Sequence, residues 1–402
     1  MPQRLKILHV ASWFPSEVHG SLGNFIERHV EAVATVHDCE VWAPVAVKGS
    51  RASMMKMREK NGEEIREVDG RMWKVKRLYH EATKPQLLGV ARAVATEAVK
   101  VDEVPDVVHL HVAYPAGSAA VAWAKRWKVP VVLTEHWTAY HEPQGWPWWR
   151  RKAIKDVVKG VDVVCPVTDD LGQSMANWVD GVCIRVVPNV VDTEAFKPGE
   201  PETLAGVVVG ASRRKLEGQG PTKMLHVSSM NDDQKNITGL LEGVAAAKDA
   251  VPGLRVTFVG GEKVDLGPYR DKAKALGLEG VVEFLGPLPS LEVAEVMRSH
   301  DALLLNSRQE NFPCVIPEAW ASGLPVVSTD VGGIREHLPP GLSELGLLLG
   351  REASAADWVE SLKTLHATRW NAHRIRECAE ATFSVAAVAK AYTEVYQNSM
   401  NR

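Results

Sequence analysis

The 402 residues carry 47 Lys and Arg against 50 Asp and Glu, a formal net charge of -3, and 45% of them are hydrophobic. That balance predicts two or three globular domains with a sizeable core, and the lack of a long basic stripe argues against a nucleic-acid partner. Five cysteines, Cys39, Cys165, Cys183, Cys314 and Cys378, are odd in number and show no CxxC spacing, so neither a disulfide framework nor a zinc site is implied, and a reducing cytoplasm fits.

Met1 leads through two basic residues into a strand, with no apolar region of signal-peptide length, so secretion is not expected. The first strand reads as 6–10, followed by a long loop, 11–22, and a helix, 23–36, with Phe25, Val30 and Val33 on one face. The loop lacks a Gly-x-Gly-x-x-Gly fingerprint, which argues against a nicotinamide-dependent dehydrogenase. Gly20 and Gly23 remain, either as plain loop glycines or as points where backbone approaches a ligand. A strand at 39–43 and a hairpin over 64–77, turning at Asp69-Gly70, follow, and the segment between them gives no signal.

A helix at 85–99 leads to a strand at 107–111, a helix at 116–127 and a strand at 131–135. The uncharged run 107–124 is long enough to raise the question of a membrane span. His109, His111, Pro115 and Gly117 at its centre make it strand, loop and helix instead. Alternating strands and helices imply a parallel sheet, whose ligands sit beyond the carboxyl ends of the strands. His136 stands at such an end and is expected to face the ligand, while His109 and His111 close the preceding strand and either pack or line a cavity. Residues 142–159 then place Trp146, Trp148 and Trp149 beside Arg150, Arg151 and Lys152, with Lys155 and Lys159 further on. Aromatic residues next to basic ones suit an anionic membrane surface, the wall of an acceptor pocket, or simple packing.

A strand near 161–167, a helix from Asp169 and a strand at 185–187 end in the turn Pro188-Asn189-Val190-Val191-Asp192. Residues 197–222, rich in Gly, Pro and charge, read as a linker. Beyond it the pattern gives a strand at 224–228, a helix at 238–249, a strand at 255–259, a helix to about 276 and a strand at 281–285. Next come a buried strand at 302–305, a helix near 313–322 capped by Gly323 and stopped before Pro325, and a second buried strand at 326–329. Helices at 355–366 and 383–397 close the chain.

Glu310 sits in the loop after strand 302–305, Glu318 lies in the following helix, about two turns in, and Gly332-Gly333 mark the next loop. Carboxylates so placed would repel a phosphate at the helix N-terminus, but they suit vicinal hydroxyls, because an ionised carboxylate only accepts hydrogen bonds. The pattern therefore suits phosphate held between two sets of sugar hydroxyls, as in a nucleotide-diphosphate sugar. For either glutamate alone, a helix cap or a solvated face is the simpler account.

The whole block, Glu310, Glu318, Ala321-Ser322-Gly323, Pro325-Val326-Val327 and Gly332-Gly333 through Glu336, resembles the signature of the retaining glycosyltransferases of family 4. The resemblance implies the GT-B fold, an α/β architecture of two Rossmann-like domains facing across a cleft. It implies an acceptor-side domain at 1–196, the linker, a nucleotide-sugar domain at 223–382 and a last helix, 383–402, crossing back to the first domain. It further implies transfer of a sugar from a nucleotide-diphosphate sugar to an acceptor hydroxyl with retained configuration, at the inner face of the membrane if a lipid-linked acceptor or a glycan is used there. His136 and Glu310 become the expected catalytic residues. Gly20, Gly23, Lys235, Gly332 and Gly333 fall to the donor diphosphate, Glu318 to the ribose, and Asn311 and Phe312 also to the donor. His111, Trp137, Trp148 and Trp149 are the acceptor-side candidates. The family carries an Arg where this chain has Ser229 or Met230, which removes a positive charge expected at the diphosphate. No cofactor or metal is expected, since Asp232-Asp233 is not the Asp-x-Asp of metal-dependent transferases. A nucleotide-sugar epimerase and a non-catalytic nucleotide-binding subunit are the alternatives.

Overall fold

The computed structural model describes residues 4–20, 22–48, 51–82, 86–199, 202–204, 207–209, 222–262 and 264–401. They form two units, Met1–Val190 joined by Val385–Arg402, and Val191–Ser384.

The first unit runs β1 (Lys6–Ala11), α1 (Asn24–Ala34), β2 (Asp38–Val47), α2 (Arg51–Asn61), β3 (Glu63–Val68), β4 (Arg71–Glu81), α3 (Gln86–Ala98), β5 (Val107–His111), α4 (Gly117–Trp127), β6 (Val131–Glu135), α5 (Trp148–Gly160), β7 (Val163–Pro166) and α6 (Asp169–Trp178). Its seven-stranded sheet has the order β3-β4-β2-β1-β5-β6-β7, parallel except for the β3–β4 hairpin. Every residue of β5, β6 and β7 is buried, as uninterrupted valine-rich runs must be when helices cover both faces of a sheet. The buried stripe of α1 is Ile26, His29, Val30 and Val33, at helical spacing. Phe25, expected on that face, leans instead against Trp13 and His136. Thr168 starts α6 by accepting the Leu171 N–H, with Asp169 and Asp170 in the first turn.

The second unit holds a small hairpin of β8 (Glu202–Leu204) and β9 (Val207–Val209), then β10 (Lys223–Ser228), α7 (Asp232–Lys235), α8 (Ile237–Ala247), β11 (Arg255–Gly260), α9 (Gly267–Ala275), β12 (Val282–Gly286), α10 (Ser290–Arg298), β13 (Ala302–Leu305), α11 (Val315–Ala321), β14 (Val326–Thr329), β15 (Gly341–Ser343), β16 (Gly346–Leu349), α12 (Ala355–Ala367) and α13 (Ala372–Phe383). Its seven-stranded sheet has the order β12-β11-β10-β13-β14-β16-β15, again parallel apart from an edge hairpin. Much of the expected linker, 200–201, 205–206 and 210–221, lies outside the described residues. The last helix, α14 (Val385–Met400), belongs to the first unit and buries Val388, Tyr392 and Tyr396 there.

Several elements differ from the expectations. Residues 51–61, which gave no signal, form a helix, so its Met- and Lys-rich face was unreadable by apolar periodicity. Residues 185–187 are not a strand. Their N–H groups do reach Val164 and Pro166 carbonyls at 2.9 and 3.1 Å, but Pro166 has no N–H to return, and the ladder stops at one bridge, Val164 to Ile184. The helix expected at 383–397 is α14, and α13 before it, ended at Phe383 by the extended Ser384, was not expected. Helix α11 begins at Val315, later than expected, which puts Glu318 in its first turn rather than its second.

Candidate functional site

In the second unit β10 lies between β11 and β13, so strand addition reverses there, and the crevice beyond the carboxyl ends of β10 and β13 is where such a sheet takes a ligand. The loops at those ends are tied together. The Arg308 N–H donates to the Gln234 carbonyl at 2.8 Å, the Gln234 amide donates to the Gln309 carbonyl at 3.3 Å, and the Arg308 guanidinium donates to the Asp232 carbonyl and the Asn236 side chain. Across this staple the Lys235 ammonium pairs with Glu310 Oε1, whose carboxylate also takes the Ser307 hydroxyl at 2.8 Å. Lys235 and Glu310 side chains are only 12% and 7% exposed, so each is the other's main source of charge compensation.

The loop after β14 closes onto the same place. Gly332 has φ +57°, and a Cβ there would lie 2.0 Å from the Glu310 carbonyl oxygen. Only glycine allows that approach. The Gly333 N–H donates to the Asn311 carbonyl at 2.8 Å, so it holds the loop and is already spent before any ligand arrives. Glu318, 8% exposed, lies close by in sequence on α11. The structure thus joins Lys235, Glu310, Asn311, Gly332 and Gly333. Phe312 turns away from them, 4% exposed in the core, and stacks on Phe383 with ring centroids 5.5 Å apart. Ser229 sits in a tight turn after β10, where the Ser228 hydroxyl accepts the Met230 N–H at 3.0 Å and Met230 takes φ 60°.

In the first unit the reversal falls between β1 and β5, and the carboxyl ends of β5 and β6 carry His111 and His136. His136 is part of a histidine group that the sequence reading left incomplete. Parallel pairing sets His9 beside His109, and the alternation of β5 brings His111 to the same face. His29 descends on it from α1, with its ring 5.2 Å from that of His136. Hydrogen bonds link His9 Nδ1 to His111 Nε2 at 3.0 Å, His109 to Tyr396 and Thr134 at 2.7 Å each, and His29 Nε2 to the Pro188 carbonyl at 3.1 Å. Burial is the largest cause lowering each imidazole, His9 to about 3, His29 to about 4, and His109, His111 and His136 well below the ordinary value. All five are therefore neutral at neutral pH. His9 and His29 were not singled out from sequence, although His29 falls on the buried helical stripe.

Glu135 positions the turn that carries His136. Its buried carboxylate accepts the N–H groups of Ala113, His136 and Trp137 and the Tyr140 hydroxyl, at 2.9 to 3.3 Å. Burial still raises its carboxyl above the ordinary value. Trp137 packs on Trp13 and Trp146. Gly23 has φ +81°, and a Cβ there would meet the Trp13 carbonyl at 2.7 Å, whereas Gly20 has nothing within 4 Å of that position. Trp148 is 71% exposed and apart from this group, and Trp149 lies against Tyr114 and Arg150.

Comparison with known proteins bears on both units. Residues 58–195 match the model of Glycosyltransferase Family 4, and residues 221–368 that of Glycosyl transferases group 1. A D-inositol 3-phosphate glycosyltransferase of Corynebacterium glutamicum is 30% identical over 317 residues, covering 73% of this chain and 72% of the relative. The putative teichuronic acid biosynthesis glycosyltransferase TuaC of Bacillus subtilis is 26% identical over 405 residues, 98% of each chain. Among solved structures, Anabaena HepE in complex with UDP superimposes with a TM-score of 0.69 at 18% identity, covering 98% of this chain and all of that one, a likeness of fold. With both family models matched in order and a relative aligned through most of its length, the chain belongs to glycosyltransferase family 4.

Proposed function

We propose that this glycosyltransferase takes its sugar from a nucleotide-diphosphate donor and passes it to an acceptor hydroxyl with the anomeric configuration retained. The observation that carries the reading is the buried Lys235–Glu310 pair at the carboxyl ends of β10 and β13, where a cation for a diphosphate and a carboxylate for sugar hydroxyls stand side by side. Glu318 is assigned to the ribose diol, and neutral His136 to hydroxyls of the sugar or acceptor. Support for a donor of this class also comes from the UDP-glucose and UDP complexes of HepE. In the transfer, the bond from the anomeric carbon to the diphosphate oxygen breaks and a bond to the acceptor oxygen forms. The acceptor proton goes to the departing phosphate oxygen, so no strong protein base is required.

Thermal melts against UDP, GDP, ADP and their sugars test the donor, because a ligand at a hundred times its dissociation constant stabilises by about 2.7 kcal/mol. NMR of the product anomer then tests retention. No shift with any nucleotide would overturn the reading, and isomerised sugar formed without acceptor would make the protein an epimerase.

Ser229 bears on affinity. Ser229→Arg would restore the cation usual in the family, and a charge-assisted bond is worth roughly 1.5 to 3 kcal/mol. Nucleoside diphosphate should bind about tenfold tighter or better by calorimetry. An unchanged dissociation constant would mean that the turn 228–230 does not face the diphosphate.

A membrane-bound acceptor is favoured by α5. No helix among the described residues is long and apolar enough to cross a membrane. Trp148 nonetheless stands exposed beside a groove of about 330 Å³ lined by Arg151, Lys152, Lys155, Asp156, Lys159 and Trp178. Aromatic and basic side chains in that arrangement suit the headgroup layer of an anionic bilayer. Flotation with anionic vesicles should recover the protein at low salt, less so after Trp148→Ala, and less again as salt rises. Equal recovery of the two proteins would rule against the contact.

A further inference from the structure

Imidazoles buried next to one another must settle where their protons go, and here the accounting leaves lone pairs with no hydrogen to meet. The Pro188 carbonyl can only accept, so His29 carries its proton on Nε2 and presents a bare Nδ1. That Nδ1 is buried with no hydrogen-bond partner. His9 and His111 share one proton between His9 Nδ1 and His111 Nε2, and their outer nitrogens, His9 Nε2 and His111 Nδ1, are likewise buried and unpartnered. In a neutral pair one of those outer nitrogens is an N–H and the other a lone pair. If His111 is the donor, its Nδ1 becomes the lone pair. Ring nitrogens of His29, His111 and His136 lie within 4.8 Å of one another. Leaving a buried acceptor unsatisfied costs about 1 to 3 kcal/mol, so the grouping needs a ligand that several lone pairs can share.

We propose that His29, His111 and His136 form a binding site for a late first-row divalent cation, zinc in the first instance, and that occupation of the site stops sugar transfer. Neutral imidazole is a preferred ligand of zinc, whereas magnesium and calcium take oxygen. A zinc–imidazole bond is about 2.0 to 2.1 Å long, so ligand nitrogens that start within 4.8 Å close on the ion by small rotations of their rings. The hydrogen bonds behind the ligands are of the supporting kind. His29 Nε2–H is held by the Pro188 carbonyl, and in the tautomer with His111 as donor its Nε2–H is held by His9 Nδ1, which leaves the other ring nitrogen of each for the metal. His136 is partly exposed while His29 and His111 are fully buried, so the ion would enter past the His136 ring. The inhibitory part rests on the role given to His136 above: an imidazole bound to zinc cannot also hold a sugar or acceptor hydroxyl.

The test begins with wild-type protein stripped with EDTA and titrated with cobalt, which reports a tetrahedral nitrogen site by its visible absorption. One equivalent should develop the band, and zinc should erase it. Calorimetry with zinc chloride should give one site, at least tenfold weaker in His29→Gln and in His111→Asn, with magnesium giving none. No band in the wild type overturns the site whatever the variants do, and unchanged zinc affinity in folded variants places the ion elsewhere. Transfer activity should persist in EDTA and fall as zinc fills the site. Zinc bound without loss of activity would uphold the metal site and overturn the part assigned to His136 in transfer.

Discussion

Glu310→Gln is expected to lower turnover about ten- to a hundredfold and His136→Ala up to about tenfold, and neither should weaken nucleoside diphosphate binding by more than a few fold. The first range follows from losing one charge-assisted contact, roughly 1.5 to 3 kcal/mol, at the step where positive charge builds on the sugar, and the second from losing one bond of a neutral imidazole, roughly 0.5 to 1.5 kcal/mol. Glu310 is anchored by Ser307 and Lys235, so the amide keeps the shape of the loop and removes the charge. His136 is neutral through burial, so its loss removes a hydrogen-bonding group and leaves no charge behind. Glu318→Gln should do the reverse and weaken the nucleotide first. Calorimetry with nucleoside diphosphate and initial rates at saturating donor separate the cases. Full turnover in His136→Ala would move the acceptor-side assignment to His111.

Gly332→Ala should be among the most damaging single substitutions in the second unit. An L-residue at φ +57° costs roughly 1 to 2 kcal/mol, and its Cβ would stand 2.0 Å from the Glu310 carbonyl oxygen, so the backbone carrying Glu310 must move. Gly341→Ala is the comparison: φ is +79° there, but nothing lies within 4 Å of the added carbon. Gly341→Ala should show only the conformational cost. Gly332→Ala should lose at least about 1 kcal/mol more, a further drop of about 2 to 4 °C in the melting temperature, together with donor binding. Equal melts and normal nucleotide binding in both variants would mean that the two loops are not rigidly joined.

What could be read without coordinates follows the range of each interaction. Strands β5, β6, β13 and β14 were legible because a fully covered parallel strand is a short unbroken apolar run, a property of adjacent residues. Glu310, Glu318 and the Gly332-Gly333 loop were legible as one local block. The Lys235–Glu310 pair was not, since its members are 75 residues apart and each had been given to a different part of the donor. Nor was the histidine group, whose central hydrogen bond joins positions 102 residues apart. His9 inside an apolar strand carries no local sign of what its neighbours will be. The packing of Phe312 was not legible either: next to Glu310 and Asn311 it looks like part of a site, and its ring fills the core against Phe383.

With Lys235 assigned to the diphosphate and Glu310 to the sugar hydroxyls, as proposed above, the pair would also bear on which nucleotide the protein keeps. In the resting second unit the two charges cancel each other, and a diphosphate can claim Lys235 only by taking it from Glu310. A spent nucleotide, with no sugar, strands a nearly buried carboxylate with the Ser307 hydroxyl as its remaining side-chain donor. An intact donor brings replacement hydroxyls in the same event. The exchange of partners therefore favours the loaded donor over its own leaving group, and once the sugar has gone, the return of Lys235 to Glu310 helps push the empty nucleotide out.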